Sequence, residues 1–196
     1  MADFGDSEEN EQPPQAPDPV LGRMLKIRTV LLSGEINEEQ AARAISQVLI
    51  LDGDSHEPIR VVISSQGGHV DSGYAVLDML KYVESPIVTI GAGWVASIAV
   101  PILLAAPKGS RYTLPNTRFL LHQPHGGAGG QATDIGIAAQ EILKLRQRLN
   151  QLISDETGRP VEQVEKDSDR NFWMSAEEAL EYGLVSKIIQ SAKEIG

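Results

Sequence analysis

"IRVVISSQGGHVDSGYAVLDMLKYVESPIVTIGAG", residues 59–93, holds one complete strand–helix–strand unit. "IRVVISS" is β-branched and flanked by turn residues, the composition of a strand. "DSGYAVLDMLKYVE" then switches to helical periodicity and stops before Pro86, because a proline disfavours the α region for the residue ahead of it. "PIVTIGAG" returns as a strand. A helix of about a dozen residues between two strands is the connection that a parallel pair needs.

The alternation continues on both sides. Upstream, "RTVLLSG" (28–34) reads as a short buried strand. "NEEQAARAISQVLILD" (37–52) reads as a helix with Asn37 as its N-cap. Downstream, "ASIAVPILLAA" (96–106) is apolar on nearly every side and predicts a buried helix. Pro101 fits it only if the helix starts near Ser97. "TRFLLH" (117–122) and "LVSKII" (184–189) read as strands. Ser175 and Glu178 form a capping box for "AEEALEYG". Repeated units of this kind predict an α/β fold with a mostly parallel sheet.

"QATDIGIAAQEILKLRQRLNQLISDETG" (131–158) is a longer helical pattern closed by Gly158. At about 1.5 Å per residue it should extend roughly 35–40 Å, more than a compact domain of this size needs. Its length predicts a projecting arm for self-assembly. The expected organisation is a disordered acidic arm over 1–19 and one domain over 20–196, with the long helix at about 131–157. The arm carries six acids, four prolines and no lysine or arginine, so it lacks the apolar surface that offsets ordering entropy.

The chain has 196 residues and a net charge of −10, which argues against nucleic-acid and anionic-membrane binding. There is no cysteine, which excludes disulfides, thiolate metal sites and cysteine nucleophiles and fits a reducing, cytoplasmic compartment. No Sec-type leader and no spanning segment are read.

Three stretches carry chemistry. In "TIGAGWVASIAVP" (89–101) a lone hydroxyl, Ser97, follows glycines and opens an apolar helix. There the positive helix end stabilises a developing oxyanion, with the Ile98 N–H as a natural donor. Ser97 reads equally as an N-cap. In "ISSQGGHVDSG" (63–73), Gly67 and Gly68 either bring backbone N–H groups close to a ligand or make a plain tight turn. In "LLHQPHGGAGGQ" (120–131), His122 stands at the C-terminal end of a strand, the edge where ligands gather in open α/β sheets. His122 and His125 have a metal-like spacing, but Pro124 prevents a helix, His69 is a poor third ligand, and no metal is expected. A hydroxyl, a histidine and two backbone donors are parts of an acyl-transfer site, which lacks only an acid to orient the histidine.

"GWVASIAVPILLAAPKGSRYTLPNTRFLLHQPHGGAGGQATDI" (93–135) and "DSDRNFWMSAEEALEYGLV" (167–185) closely resemble the Clp protease proteolytic subunit, a serine peptidase. The similarity covers about residues 25–190. It implies a crotonase-like ββα spiral with a projecting handle helix. It also implies heptameric rings stacked as a tetradecamer around a chamber, fed with unfolded polypeptides by a hexameric Clp ATPase that uses the ATP; this chain needs no cofactor. By resemblance Ser97 is the nucleophile, His122 the general base, and Gly68 and Ile98 the oxyanion donors. Gly127, Gly129 and Gly130 belong to a loop that helps hold extended peptide, and Asp169 and Arg170 match positions implicated in contacts between rings.

The chain departs from the family pattern in several places. The catalytic aspartate aligns with Asn171. The arm before Val20 does not resemble the usual gating segment. "NSPGG" appears as "SSQGG", with Gln66 for proline. The ATPase groove lacks an aromatic at Val61-Val62-Ile63, although Tyr82, Tyr112 and Leu114 keep other parts of it. An asparagine can hold the imidazole tautomer through its carbonyl oxygen but cannot balance the imidazolium with a full charge. The expectation is therefore a Clp-type serine endopeptidase with weak or conditional activity. The alternative is a largely structural ring subunit that assembles with a more active paralogue. An acyl-CoA-binding crotonase relative would use the same backbone oxyanion site, but would not require Ser97 and His122 together in these motifs.

Overall fold

A computed structural model of the chain describes residues 19–124 and 129–195. The expected arm, apart from Pro19, lies outside the described residues, as do His125 and Gly127. The chain runs α1 (Pro19–Lys26), β1 (Thr29–Ile36), α2 (Glu38–Asp54), β2 (Ile59–Gly68), α3 (Val70–Tyr82), β3 (Ile87–Ala96) and α4 (Ala99–Leu103). It continues through β4 (Arg111–Thr113), β5 (Arg118–Leu121), α5 (Ala132–Thr157), α6 (Val161–Ser168), β6 (Phe172–Met174), α7 (Ala176–Tyr182), β7 (Lys187–Ile188) and a 3₁₀ turn, Ala192–Glu194.

Five strands pair in the order β1-β2-β3-β4-β7, all in parallel. β3 is long enough to serve two neighbours. Thr89 to Gly91 pair with β4, and Trp94 to Ala96 pair with β5. β6 then adds antiparallel to β5. The sheet is therefore α/β and mostly parallel, as the strand–helix alternation implies. Inward residues such as Val30, Leu32, Val61, Ile63, Leu77 and Leu80 are buried in one cluster with α4. This burial holds α2, α3 and α4 against the sheet.

Several elements were not anticipated from sequence. α1, β4 and β6 went unread because three-residue strands and a short amphipathic turn carry too little periodicity. The predicted buried helix at Ser97 is only five residues long and starts at Ala99. Pro101 is its third residue, where the missing N–H would have had no intrahelical partner. The Asn37 cap and the Ser175–Glu178 capping box form as read.

α5 has 26 residues, about 39 Å at the helical rise, and buries only Asn150 and Ile153. Its C-terminal part is fastened to the domain. Arg111, 2% exposed, donates to Ala106 O (2.7 Å) and Leu104 O (3.0 Å) and pairs with Glu156. Lys81 reaches the same carboxylate at 2.9 Å. Burial pushes the Glu156 carboxyl up, but hydrogen bonds and charge from Lys81 and Arg111 outweigh it and hold the group below its ordinary value.

Candidate active site

Ser97 follows the last residue of β3. Its backbone is left-handed, with φ +56°, although it is not glycine. Such a conformation costs about 1–2 kcal/mol for an L-residue, so the surroundings must impose it. They do so from both sides: Ser97 N donates to Leu120 O at 2.9 Å, and Ser97 O accepts from Val100 N at 3.0 Å. The cap reading of Ser97 is corrected, since the residue ahead of α4 is Ile98 and no side chain caps that helix. The strained turn presents the hydroxyl at the sheet edge, the geometry of a nucleophile elbow without its glycine motif.

Gly67 and Gly68 end β2 beside this turn, with φ +90° and +152°. A Cβ on Gly68 would stand 2.3 Å from Ile36 O, so no side chain fits there. Ser65, fully buried, donates to Gly34 O at 2.6 Å and accepts from Gly67 N at 3.0 Å. The Gln66 carboxamide, oriented to satisfy both groups, donates to Gly34 O (3.2 Å) and accepts from Glu35 N (3.2 Å). Both side chains pin the glycines to the β1 bulge. Ile98 is buried, and its side chain packs onto α3 at Gly73, where a Cβ would lie 2.1 Å from Ile98 Cγ1. Among the described residues the Ile98 N–H donates to none.

His122 directly follows β5 and Asn171 directly precedes β6. The antiparallel register pairs Leu121 with Phe172, so its next step sets His122 opposite Asn171. Both line an open cleft of about 770 Å³ with Arg146, Asp169 and Arg170. Asp169 accepts from Gln123 Nε2 at 2.5 Å and lies 3.6 Å from Arg146. Asn171 is exposed and makes no side-chain hydrogen bond among the described residues. Behind it, Phe172 packs on Tyr182 (ring centroids 5.8 Å apart), and Tyr182 donates to Asp167 at 3.0 Å. Burial and Asp167 push the Tyr182 phenol far up, so it remains a donor.

Ser97 and His122 line two further cavities together. One, of about 390 Å³, also includes Glu35, Gln66, Gly67 and Gly68. The other is a narrow apolar recess of about 20 Å³ between α4 and α5. The fold thus gathers Gly68, the adjacent Ser97 and Ile98, and His122 from three chain segments, with Asn171 across from the histidine. Gly129 and Gly130 precede α5 and line none of these cavities. Among the described residues no group of three or more His, Asp or Glu could hold a metal ion, and no helix is long and apolar enough to cross a membrane. Of the groove residues, Tyr82 and Leu114 are exposed, while Tyr112 and Val62 are half-buried against Val88, Ile90 and Ile189. Sequence reasoning missed Asn150, which lines the narrow recess; an asparagine inside a long helix gave no signal of chemistry.

Comparison with known proteins agrees with this architecture. The Clp protease family signature matches residues 14–192. An ATP-dependent Clp protease proteolytic subunit 3 from Rhizobium etli is 48% identical over 172 residues, covering 88% of this chain and 89% of the relative. A proteolytic subunit 2 from Gluconobacter oxydans is 52% identical over 176 residues, covering 89% of this chain and 79% of the relative. A solved structure of a ClpP1 asparagine-to-aspartate mutant from Listeria monocytogenes superposes with a TM-score of 0.85 at 43% identity, covering 90% of this chain and 99% of that one. The fold is the ClpP fold, and the chain belongs to the Clp protease family.

Proposed function

We propose that this chain is a serine-type endopeptidase subunit of an ATP-dependent Clp protease, with intrinsic activity limited by Asn171. The observation that carries the reading is the strained Ser97 turn, tied to Leu120 two residues before His122. In this reading Ser97 Oγ attacks the scissile carbonyl carbon while His122 accepts the hydroxyl proton. The Gly68 and Ile98 N–H groups donate to the oxyanion. His122 returns the proton to the departing amine, and water then hydrolyses the acyl-enzyme through the same base. Asn171 orients His122 when its carbonyl oxygen faces Nδ1–H, but supplies no countercharge.

A second reading has its own support. Asn171, exposed and with no side-chain hydrogen bond among the described residues, suits a subunit that serves mainly as a structural member of a ring with an active paralogue. Labelling with a fluorophosphonate probe separates the two. Wild type, Ser97→Ala and Asn171→Asp are compared, alone and with a co-expressed paralogue. Slow labelling that disappears in Ser97→Ala supports the peptidase. No labelling of wild type under any condition, with no gain in Asn171→Asp, refutes it.

The relatives' names, which describe proteolytic subunits of an ATP-dependent Clp protease, support a subunit that works in an assembly; in this proposal the assembly is a pair of stacked heptameric rings that receives unfolded polypeptides from a hexameric Clp ATPase. The exposed Ile135, Ile137 and Leu143 on α5 support self-association through that helix. Native mass spectrometry should give a seven- or fourteen-fold multiple of the chain mass, and a stable monomer would contradict assembly.

A further inference from the structure

Two cavities meet at Ser97 and His122. The apolar recess leads to α5, whereas the other, of about 390 Å³, leads to the C-terminal ends of β1 and β2 and is walled by Glu35, Gln66, Gly67 and Gly68. Few of the walls of this second cavity can choose a ligand. The glycines carry no side chain, and Val70 and Pro124 are apolar. Both ends of the Gln66 carboxamide are taken, by Gly34 O and Glu35 N. Glu35 is the exception. Its backbone is fixed, since the β1–β2 register sets it opposite Gly67 and its N–H donates to Gln66. Its side chain is exposed, and its carboxylate has no hydrogen-bond or ion-pair partner among the described residues. Gly67 in turn lies against the Ser97 turn. Glu35 therefore stands about two strand spacings, roughly 10 Å, from Ser97. A negative charge held at the far wall of a cavity favours a cation long enough to span it.

We propose that Glu35 is a specificity-determining residue that selects a lysine or arginine on the leaving side of the scissile bond. A chain whose attacked carbonyl lies at Ser97 continues to both sides of it. With the apolar recess taken by the acyl residue, the residue that supplies the leaving amine enters the cavity at the ends of β1 and β2. There an extended basic side chain meets the Glu35 carboxylate. A neutral side chain of the same length fills the space without charge pairing, and an acidic one is repelled. Glu35 touches no reacting atom, so it acts on which bond is cut. The assignment to the leaving side rests on the peptidase reading; the open carboxylate in the cavity does not.

The test uses fluorescein-labelled peptides in which a ketomethylene replaces the scissile amide after a central leucine, so that none can be cleaved. They differ in the next residue alone, which is lysine, norleucine or glutamate. Binding to the full-length protein is followed by fluorescence anisotropy at low salt. In wild type the lysine peptide should bind about three- to fivefold tighter than the norleucine peptide, with the glutamate peptide weakest. The margin should shrink as salt is raised. In Glu35→Gln the lysine and norleucine peptides should bind equally. In Glu35→Lys the glutamate peptide should bind tightest, a reversal that a merely structural role would not produce. Equal affinities, a norleucine or glutamate preference, or no binding in wild type would each overturn the proposal, so the result stands even if a variant fails to fold. A lysine preference unchanged in a folded Glu35→Gln protein would also overturn it. The predicted order in a protein that never reacts with fluorophosphonate would leave the assignment of Glu35 standing while the peptidase reading fell. Fluorophosphonate labelling without the order would do the reverse.

Discussion

Gly67 lies against Ser97 so closely that a Cβ on the glycine would stand 2.6 Å from the Ser97 Cβ and 2.8 Å from Ala96 O. The contact joins the end of β2 to the turn after β3. It explains how the left-handed Ser97 is kept in place: the space it occupies exists only because position 67 has no side chain. Gly67→Ala would meet both this clash and a φ of +90°, so relief requires the Ser97 turn to move. Fluorophosphonate labelling should fall at least about tenfold, and thermal unfolding should show a loss of about 1–3 kcal/mol. Unchanged labelling in a folded Gly67→Ala protein would mean that Ser97 does not depend on this contact.

Asn171 stands across from His122 by strand register, and restoring a carboxylate there should raise activity. In a Ser-His-Asp triad the aspartate-to-asparagine change lowers kcat about 10⁴-fold. Asn171→Asp should recover a substantial part of such a factor, about 100-fold or more in kcat on a fluorogenic peptide, with little change in KM. A rise in KM alone would point to substrate contact rather than to orientation of the base.

Glu156 sets a pH dependence of stability. Its carboxyl is held below its ordinary value of 4.5 in the folded chain. A depressed carboxylate contributes stability that is fully present above its unfolded value and is lost as pH falls through the folded one. The acid limb of the stability curve below about pH 4.5 should therefore flatten in Glu156→Gln. At neutral pH the same variant should lose about 1–3 kcal/mol, because buried Arg111 keeps its carbonyl acceptors but not its charge partner. Urea unfolding from pH 3 to 8 measures both effects.

Among the described residues Arg28 is the other left-handed residue that is not glycine, with φ +51°. Its guanidinium donates to Leu51 O (2.8 Å), Ser55 O (2.9 Å) and Glu57 O (2.6 Å), tying the end of α2 to the start of β1. Arg28→Lys cannot reproduce that fork and should cost about 1–3 kcal/mol by chemical denaturation. Arg28→Gly would relieve the backbone but lose every bond. It should be no more stable than the lysine variant if the bonds outweigh the strain.

Much of the architecture was legible in the sequence. Alternation of β-branched runs with amphipathic stretches determined a mostly parallel α/β sheet, because period 2 and period 3.6 each bury one face. The caps at Asn37 and Ser175 and the length of α5 were readable because they depend on neighbours three or four residues away. Ser97 and His122 stood out as residues, and resemblance to the family related them to Asn171, but how the chain brings them together was not readable. Only the tertiary structure decided that β3 splits between β4 and β5, that β6 returns antiparallel to set Asn171 across from His122, and that Gly67 forces room for Ser97. The same holds for Asn150, polar and exposed by default on a long helix, which becomes a buried donor only because α4 and β5 close over it. Local periodicity records what each segment buries. Which segments meet is fixed by packing between residues that the chain separates by 22 positions, as in Thr89 with Arg111, to 55, as in Phe119 with Met174, and no short stretch of sequence carries that information.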